Sequence, residues 1–185
     1  MKHLELLISE EQILQKLKEV GKQIESDYNK REIVIVMVMK GALCLVADLI
    51  RQLKLPCAIE FVQGRSYGAQ GSQRGKLSVF GIENFDIAGK DLLLVDDIFD
   101  SGTTLSFIKD KLVEKNPKSL KTLVLLSKKI SREIAWIPDY VLFEIENQFV
   151  VGYGLDYKEH FRGLPGVYIL QSDEEASLSA HRKGK

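Results

Sequence analysis

Three aspartates stand close together in the segment Leu92-Leu-Leu-Val-Asp-Asp-Ile-Phe-Asp-Ser-Gly-Thr-Thr-Leu105. Asp96 and Asp97 follow directly on an apolar run. Asp100 leads into Ser101, Gly102, Thr103 and Thr104, after which a helical pattern begins. Backbone amides at the start of a helix, with Ser and Thr hydroxyls beside them, bind an anion, and Gly102 lets the backbone come close to it. The acids just upstream would repel that anion unless they held something else. Sugar hydroxyls and Mg²⁺ are fitting partners, because carboxylates bind hard cations through oxygen. A phosphate on the turn and a sugar on the acids together describe a phosphorylated ribose. Capping a helix rarely needs three acids at the end of a strand.

Other phosphate motifs fail on inspection. Gly75-Lys76 lacks the earlier glycine and the following Ser or Thr of a P-loop. Gly152-Tyr-Gly154 has Tyr157 where a dinucleotide fingerprint places its third glycine. Asp96-Asp97-Ile-Phe-Asp100 also fits the Asp-Asp-x-x-Asp pattern of isoprenoid diphosphate enzymes. Those enzymes set it on a helix in an all-helical fold, whereas here a leucine-rich strand leads in.

The elements that must position this turn follow from apolar periodicity. Ser9 and Gln12 form a capping box for a helix whose stripe is Ile13, Leu17, Val20 and Ile24. Ile33–Met39 is a continuous apolar run, the signature of a strand buried on both faces of a parallel sheet. A helix over 42–53 stops before Pro56, and another spans 104–114. Strands are predicted over 58–62, 77–80, 92–95, 122–126, 140–145 and 167–170. The segment 64–76 is polar, glycine-rich and longer than most connections, and is predicted to be a mobile lid. Strands alternating with helices predict a doubly wound α/β fold: a mostly parallel central sheet with helices on both faces. Ligands bind beyond the carboxyl ends of such strands. Lys40-Gly41, the run from Asp96 to Thr104, and Ser127 to Arg132 should therefore share one rim.

Composition narrows the function classes. The chain has 185 residues, which fits one domain over 1–185, with a polar tail from Gln171 predicted to be flexible. Its 26 basic and 26 acidic residues cancel, which argues against a sequence-independent nucleic-acid or membrane-surface binder. Cys44 and Cys57 suit neither a zinc site nor a disulfide framework and read as buried thiols. The first residues are broken by Glu5, Glu10 and Glu11, unlike a signal peptide, and no apolar run reaches membrane-spanning length. A soluble, cytoplasmic protein is expected.

With these residues in view, the sequence resembles the type I phosphoribosyltransferases, and more narrowly their hypoxanthine-guanine branch. Besides the central motif, Lys40-Gly41 is similar to the family's pyrophosphate loop, and Ser66-Tyr67 to the Ser-Tyr pair of its mobile catalytic loop. Lys128 stands where the family has a base-recognising lysine. Phe149-Val150-Val-Gly-Tyr-Gly-Leu-Asp156-Tyr-x-Glu-x-Phe-Arg162 resembles the run that separates purine enzymes from other members.

The resemblance implies a type I fold with a small hood built from the two ends of the chain. It implies transfer of the phosphoribosyl group of phosphoribosyl pyrophosphate to a 6-oxopurine, with Mg²⁺ as cofactor. Lys40, Gly41 and Arg162 would hold the leaving pyrophosphate, and Asp96 and Asp97 the ribose hydroxyls and first Mg²⁺ shell. Asp100 to Thr104 would hold the ribose 5-phosphate, with Asp100 also the general base at N7 of the purine. Asp156 would hold a second Mg²⁺, Phe149 would stack the base, and Lys128 and the Val150 backbone would read its edge. Ser66 and Tyr67 would close over the reacting sugar. A cis peptide within Met39-Lys40-Gly41 and a homodimeric or homotetrameric assembly are also implied. Many relatives have Glu-Asp where this chain has Asp96-Asp97. Two rivals differ in kind. A regulator on the same fold would lose catalytic groups and gain basic surface. An enzyme for adenine or a pyrimidine precursor would lack Lys128 and the run from Phe149 to Arg162.

Overall fold

The first elements are β1 (His3–Ile8), α1 (Glu10–Asp27), β2 (Ile33–Met39), α2 (Leu43–Gln52), β3 (Cys57–Tyr67) and β4 (Lys76–Phe80). They are followed by β5 (Asp91–Phe99), α3 (Thr103–Val113), β6 (Ser119–Lys128), β7 (Tyr140–Ile145), β8 (Val150–Val151) and β9 (Val167–Gln171). This computed structural model describes residues 3–67, 76–132 and 134–171. Six strands form a sheet in the order β4-β3-β2-β5-β6-β7, parallel throughout except for the antiparallel edge strand β4.

Alternation along the buried strands builds two cores. Ile33, Ile35 and Met37 of β2 point to one face with Leu93, Val95, Leu123 and Leu125, where α1 and α2 cover them with Ile13, Leu17, Leu45 and Leu49. Val34, Val36 and Val38 point to the other, with Leu92, Leu94 and Val124, beneath Leu105, Ile108 and Leu112 of α3. The α1 capping box forms as expected: the Gln12 N–H donates to Ser9 Oγ at 3.3 Å, and the Ser9 N–H to Gln12 Oε1 at 2.8 Å.

The chain leaves β2 toward β3 on one side and returns to β5 on the other. The crevice between the carboxyl ends of β2 and β5 is therefore the topological switch point, where open α/β sheets bind ligands. A separate antiparallel sheet, β1-β9-β8, joins the start of the described chain to its end and makes the expected hood; the segment between β8 and β9 brings Asp156 and Arg162 to the crevice.

The structure corrects several boundaries. β5 runs on through Asp96 and Asp97 to Phe99, because Asp96 pairs with Val124 and Ile98 with Leu126. The expected loop 64–76 is strand at both ends: Gly64 to Tyr67 continue β3, and Tyr67 pairs with Lys76. Beyond Gln63, the last residue of β3 paired with β2, the partner of β3 among the described residues is β4 alone, and the β3 side of the ribbon, Gly64-Arg-Ser-Tyr67, has no apolar alternation to mark it as strand. The remainder of the predicted lid, 68–75, lies outside the described residues, as do the side chains of Ser66 and Tyr67. Gln171, expected in the tail, pairs with His3 as the last residue of β9, and 172–185 lie outside the described residues.

Candidate active site

A cavity of about 330 Å³ opens at the switch point. One wall is the turn between β5 and α3, with Asp100, Ser101, Gly102 and Thr104 lining it. Gly102 is required there. Its φ is 78°, and a Cβ would overlap Ile134 and the Phe99 ring. No side chain caps α3 from Gly102, and the Thr103 N–H makes only a long bond of 3.4 Å to Ser101 Oγ, so the start of the helix can present its amides to an anion that displaces it. Ser101 Oγ and Thr103 Oγ1 lie 3.1 Å apart beside them, although Thr103 itself does not line the cavity.

Asp96 and Asp97 form the floor. Asp96 is buried, and burial pushes its carboxyl well above the ordinary range, with the neighbouring Asp97 charge adding to the shift. Burial raises Asp97 as well. Neither forms an ion pair among the described residues. Asp97 lies directly against Gly41, where a Cβ would overlap its carboxylate, so only glycine lets the end of β2 approach the acid. The Met39–Lys40 peptide is cis.

The opposite wall carries charge of both signs. Lys40 Nζ is 2.9 Å from Glu159 Oε2, and Arg162 Nη2 is 2.8 Å from Asp156 Oδ1 and 3.4 Å from the same Glu159 oxygen. Arg162 Nη1 donates to the Gly154 carbonyl at 2.8 Å, and its buried Nε has no hydrogen-bond partner among the described residues. The Glu159 N–H donates to Asp156 Oδ2 at 2.8 Å. Both terminal nitrogens of Arg162 are thus engaged, so any bidentate grip on pyrophosphate needs an exchange of partners.

Lys128, at the end of β6, reaches Asp100 with Nζ 3.0 Å from Oδ2 and is only 13% exposed along its side chain. Lys129 turns away to Glu146 and is 53% exposed, so Lys128 is the one that faces the turn. Phe149 and Val150 do not line the cavity. They sit in the hood, where the Phe149 ring is 52% exposed and Tyr157 meets it edge-on at 5.7 Å.

Arg132, in a segment expected on the rim but given no role, spans the ends of β5 and β6. Its guanidinium donates to the carbonyls of Asp100 (2.6 Å), Phe99 (3.0 Å) and Lys128 and to Ser127 Oγ (3.2 Å), and it lies over the Phe99 ring. Glu159 was likewise missed. Its only sequence signal is its place three residues before Arg162 in the run from Phe149.

The geometry has a precedent in known proteins. A profile of the phosphoribosyl transferase domain matches residues 6–158. The hypoxanthine-guanine phosphoribosyltransferase of Aquifex aeolicus is 44% identical over 92% of this chain and 96% of its own. That of Bacillus subtilis is 38% identical over 90% of this chain and 92% of its own. Among solved structures, a Bacillus anthracis hypoxanthine-guanine phosphoribosyltransferase superposes with a TM-score of 0.84 at 41% identity, covering 90% of this chain and 98% of that one. A Trypanosoma cruzi hypoxanthine phosphoribosyltransferase in complex with the product IMP has a TM-score of 0.83 at 35% identity, covering 91% and 95%. By fold, by site and by these matches, the chain belongs to the phosphoribosyl transferase family, in its hypoxanthine-guanine branch.

Proposed function

We propose that the protein is a purine-salvage enzyme that transfers the 5-phosphoribosyl group of phosphoribosyl pyrophosphate to hypoxanthine and guanine, giving IMP or GMP and pyrophosphate. The observation that carries this reading is the pairing of an anion-binding turn with two adjacent acids beneath it, Asp96 buried and Asp97 half-buried. The 5-phosphate fits the α3 amides with the hydroxyls of Ser101, Thr103 and Thr104. The ribose hydroxyls fit Asp96 and Asp97, and the pyrophosphate the wall of Lys40, Gly41 and Arg162.

Mg²⁺ fits the same residues. Among the described residues no group of three or more His, Cys, Asp or Glu could hold a metal. Mg²⁺, however, is usually held by one or two carboxylates together with water and substrate phosphates. Asp96 and Asp97, raised by burial and in no ion pair among the described residues, are the natural first holders, and Asp156 is the candidate on the pyrophosphate side. The ion would supply charge neutralisation at the leaving group.

Lys128 and Asp100 suit the base. The N7–H form of a 6-oxopurine carries an acceptor, O6, next to a donor, N7–H. A lysine donor and a carboxylate acceptor 3.0 Å apart complement that edge. Lys128 has three protons to donate and can keep Asp100 while reaching O6. Asp100 then accepts the N7 proton as N9 attacks C1 of the ribose and pyrophosphate departs. Phe149 offers an exposed ring for stacking and the Val150 backbone a hydrogen-bonding edge, with Ser66 and Tyr67 on the ribbon that would cover the sugar.

The chain 1–185 is read as a single domain working as a homodimer or homotetramer. An exposed apolar face of Ile59 and Phe61 on β3, Phe80 on β4 and Leu43 on α2 supports assembly. Free Cys44 and Cys57 agree with a cytoplasmic setting, and no described helix is long and apolar enough to cross a membrane. The test is turnover with phosphoribosyl pyrophosphate and hypoxanthine, guanine, xanthine, adenine or orotate. Product from the first two is expected. Product from adenine or orotate alone, or from none, would overturn the assignment.

A further inference from the structure

Glu159 has no part in the reaction as described, yet one of its oxygens joins the two cations given to pyrophosphate. Oε2 lies 2.9 Å from Lys40 Nζ and 3.4 Å from Arg162 Nη2. The turn holds the carboxylate there: Lys158 and Glu159 take φ of 53° and 66°, and the Glu159 N–H is fixed on Asp156 at 2.8 Å. The Lys40 ammonium holds the Glu159 carboxyl below its ordinary range, with Arg162 adding to the effect. Lys40, Arg162, Asp156 and Glu159 together carry no net charge, so an incoming diphosphate meets two cations already matched to carboxylates.

We infer that Glu159 is an internal competitor of pyrophosphate, an anionic side chain that holds Lys40 and Arg162 until a diphosphate displaces it and that reclaims them as the diphosphate leaves. The inference rests on the reading of this wall as the pyrophosphate subsite. Glu159 lowers affinity for both phosphoribosyl pyrophosphate and pyrophosphate. It also lets the product depart by exchanging one anion for another, without exposing two unpaired cations.

The experiment is calorimetric titration of inorganic pyrophosphate at a fixed MgCl₂ concentration, on wild type, Glu159→Gln and Glu159→Ala. Glu159 is largely exposed, and thermal melts establish that both variants fold. The expected result is a Kd lower by about two- to tenfold in both, the range that loss of two exposed ion pairs implies. The KM for phosphoribosyl pyrophosphate should fall in parallel, and product inhibition by pyrophosphate should tighten. If Glu159 merely positions Lys40 and Arg162, its loss will leave the Kd unchanged or raise it, and the inference is wrong. A wild type that binds neither pyrophosphate nor phosphoribosyl pyrophosphate would instead sink the reading of the subsite.

Discussion

The two ends of β5 use the same side chain to opposite purposes. At its start Asp91 is 4% exposed. It accepts from Arg31 Nε at 2.8 Å and from Ser119 Oγ at 2.6 Å, with Lys118 at 3.5 Å. The Arg31 hydrogen bond, helped by Ser119 and Lys118, holds its carboxyl at about 2. Five residues on, Asp96 is 8% exposed, meets no cation, and is raised well above the ordinary range by burial. The amino rim continues as Asp91 begins, whereas on the carboxyl rim Asp100 and Asp156 are paired with Lys128 and Arg162 and the contrast rests on Asp96 and Asp97. On the amino side, Asp27 takes Lys121 and Tyr140 at 2.7 and 2.6 Å, and Asp139 takes the amide and hydroxyl of Thr122. There the polar groups satisfy one another and serve the fold. On the carboxyl side, Asp96 is buried and Asp97 half-buried beside an open cavity, with no ion pair among the described residues. Asp96 accepts the Asp97 N–H at 2.9 Å, yet burial still raises both carboxyls, a cost in stability that a ligand or metal can relieve. Burial is therefore a poor guide to role, and the partners of a buried charge are a better one.

The sharpest break of this contrast is at Asp100. Asp100→Asn removes the proton acceptor while the turn amides, Asp96 and Asp97 remain. We expect kcat with hypoxanthine to fall by about 10²- to 10⁴-fold, with the dissociation constant for phosphoribosyl pyrophosphate little changed. A surviving kcat with a sharply raised dissociation constant would make Asp100 a ribose or metal ligand.

Asp91 comes next, and its sign follows from linkage. Its folded pKa is depressed, so its contribution is present above the unfolded value near 4 and is lost as pH falls from about 4 to about 2. Asp91→Asn should cost roughly 2–3 kcal/mol at pH 7 and flatten acid unfolding in that window. Denaturant titrations at a series of pH values measure both effects. Equal acid sensitivity of wild type and variant would refute it.

Lys128→Ala should weaken use of hypoxanthine and guanine by about 1–3 kcal/mol of transition-state binding, while Lys129→Ala should stay within about 0.5 kcal/mol. The reverse order in kcat/KM would move the base contact to Lys129.

The smallest expected effect has the opposite sign. Asp96 is raised on folding, so it destabilises as pH climbs above its unfolded value and has no such effect below it. Asp96→Asn should therefore raise Tm at pH 7 by a few degrees, on the order of 1 kcal/mol, with no gain near pH 3. An unchanged or lowered Tm at pH 7 would mean that Asp96 is compensated after all.

Much of this was already present in the chain. The β2 run, the α1 capping box and the strand–turn–helix around Asp100 to Thr104 are local, set by periodicity, caps and one positive-φ glycine; the first two formed where expected, and the third formed with its strand carried on from Val95 to Phe99. The parallel sheet followed from strands apolar on both faces. The hood strands β1 and β8 were less visible, being short or half-exposed, so they carry little apolar pattern. Other features required the third dimension. β6 ends so that Lys128 faces Asp100 and Lys129 faces Glu146, an alternation that register decides and composition does not. Lys40 and Glu159 meet across 119 residues, and Arg132 gathers carbonyls from two strand ends. Asp91 and Asp96 are one residue type on one strand. What separates them is which cations the fold brings within reach, because desolvation and charge act through space and not along the chain.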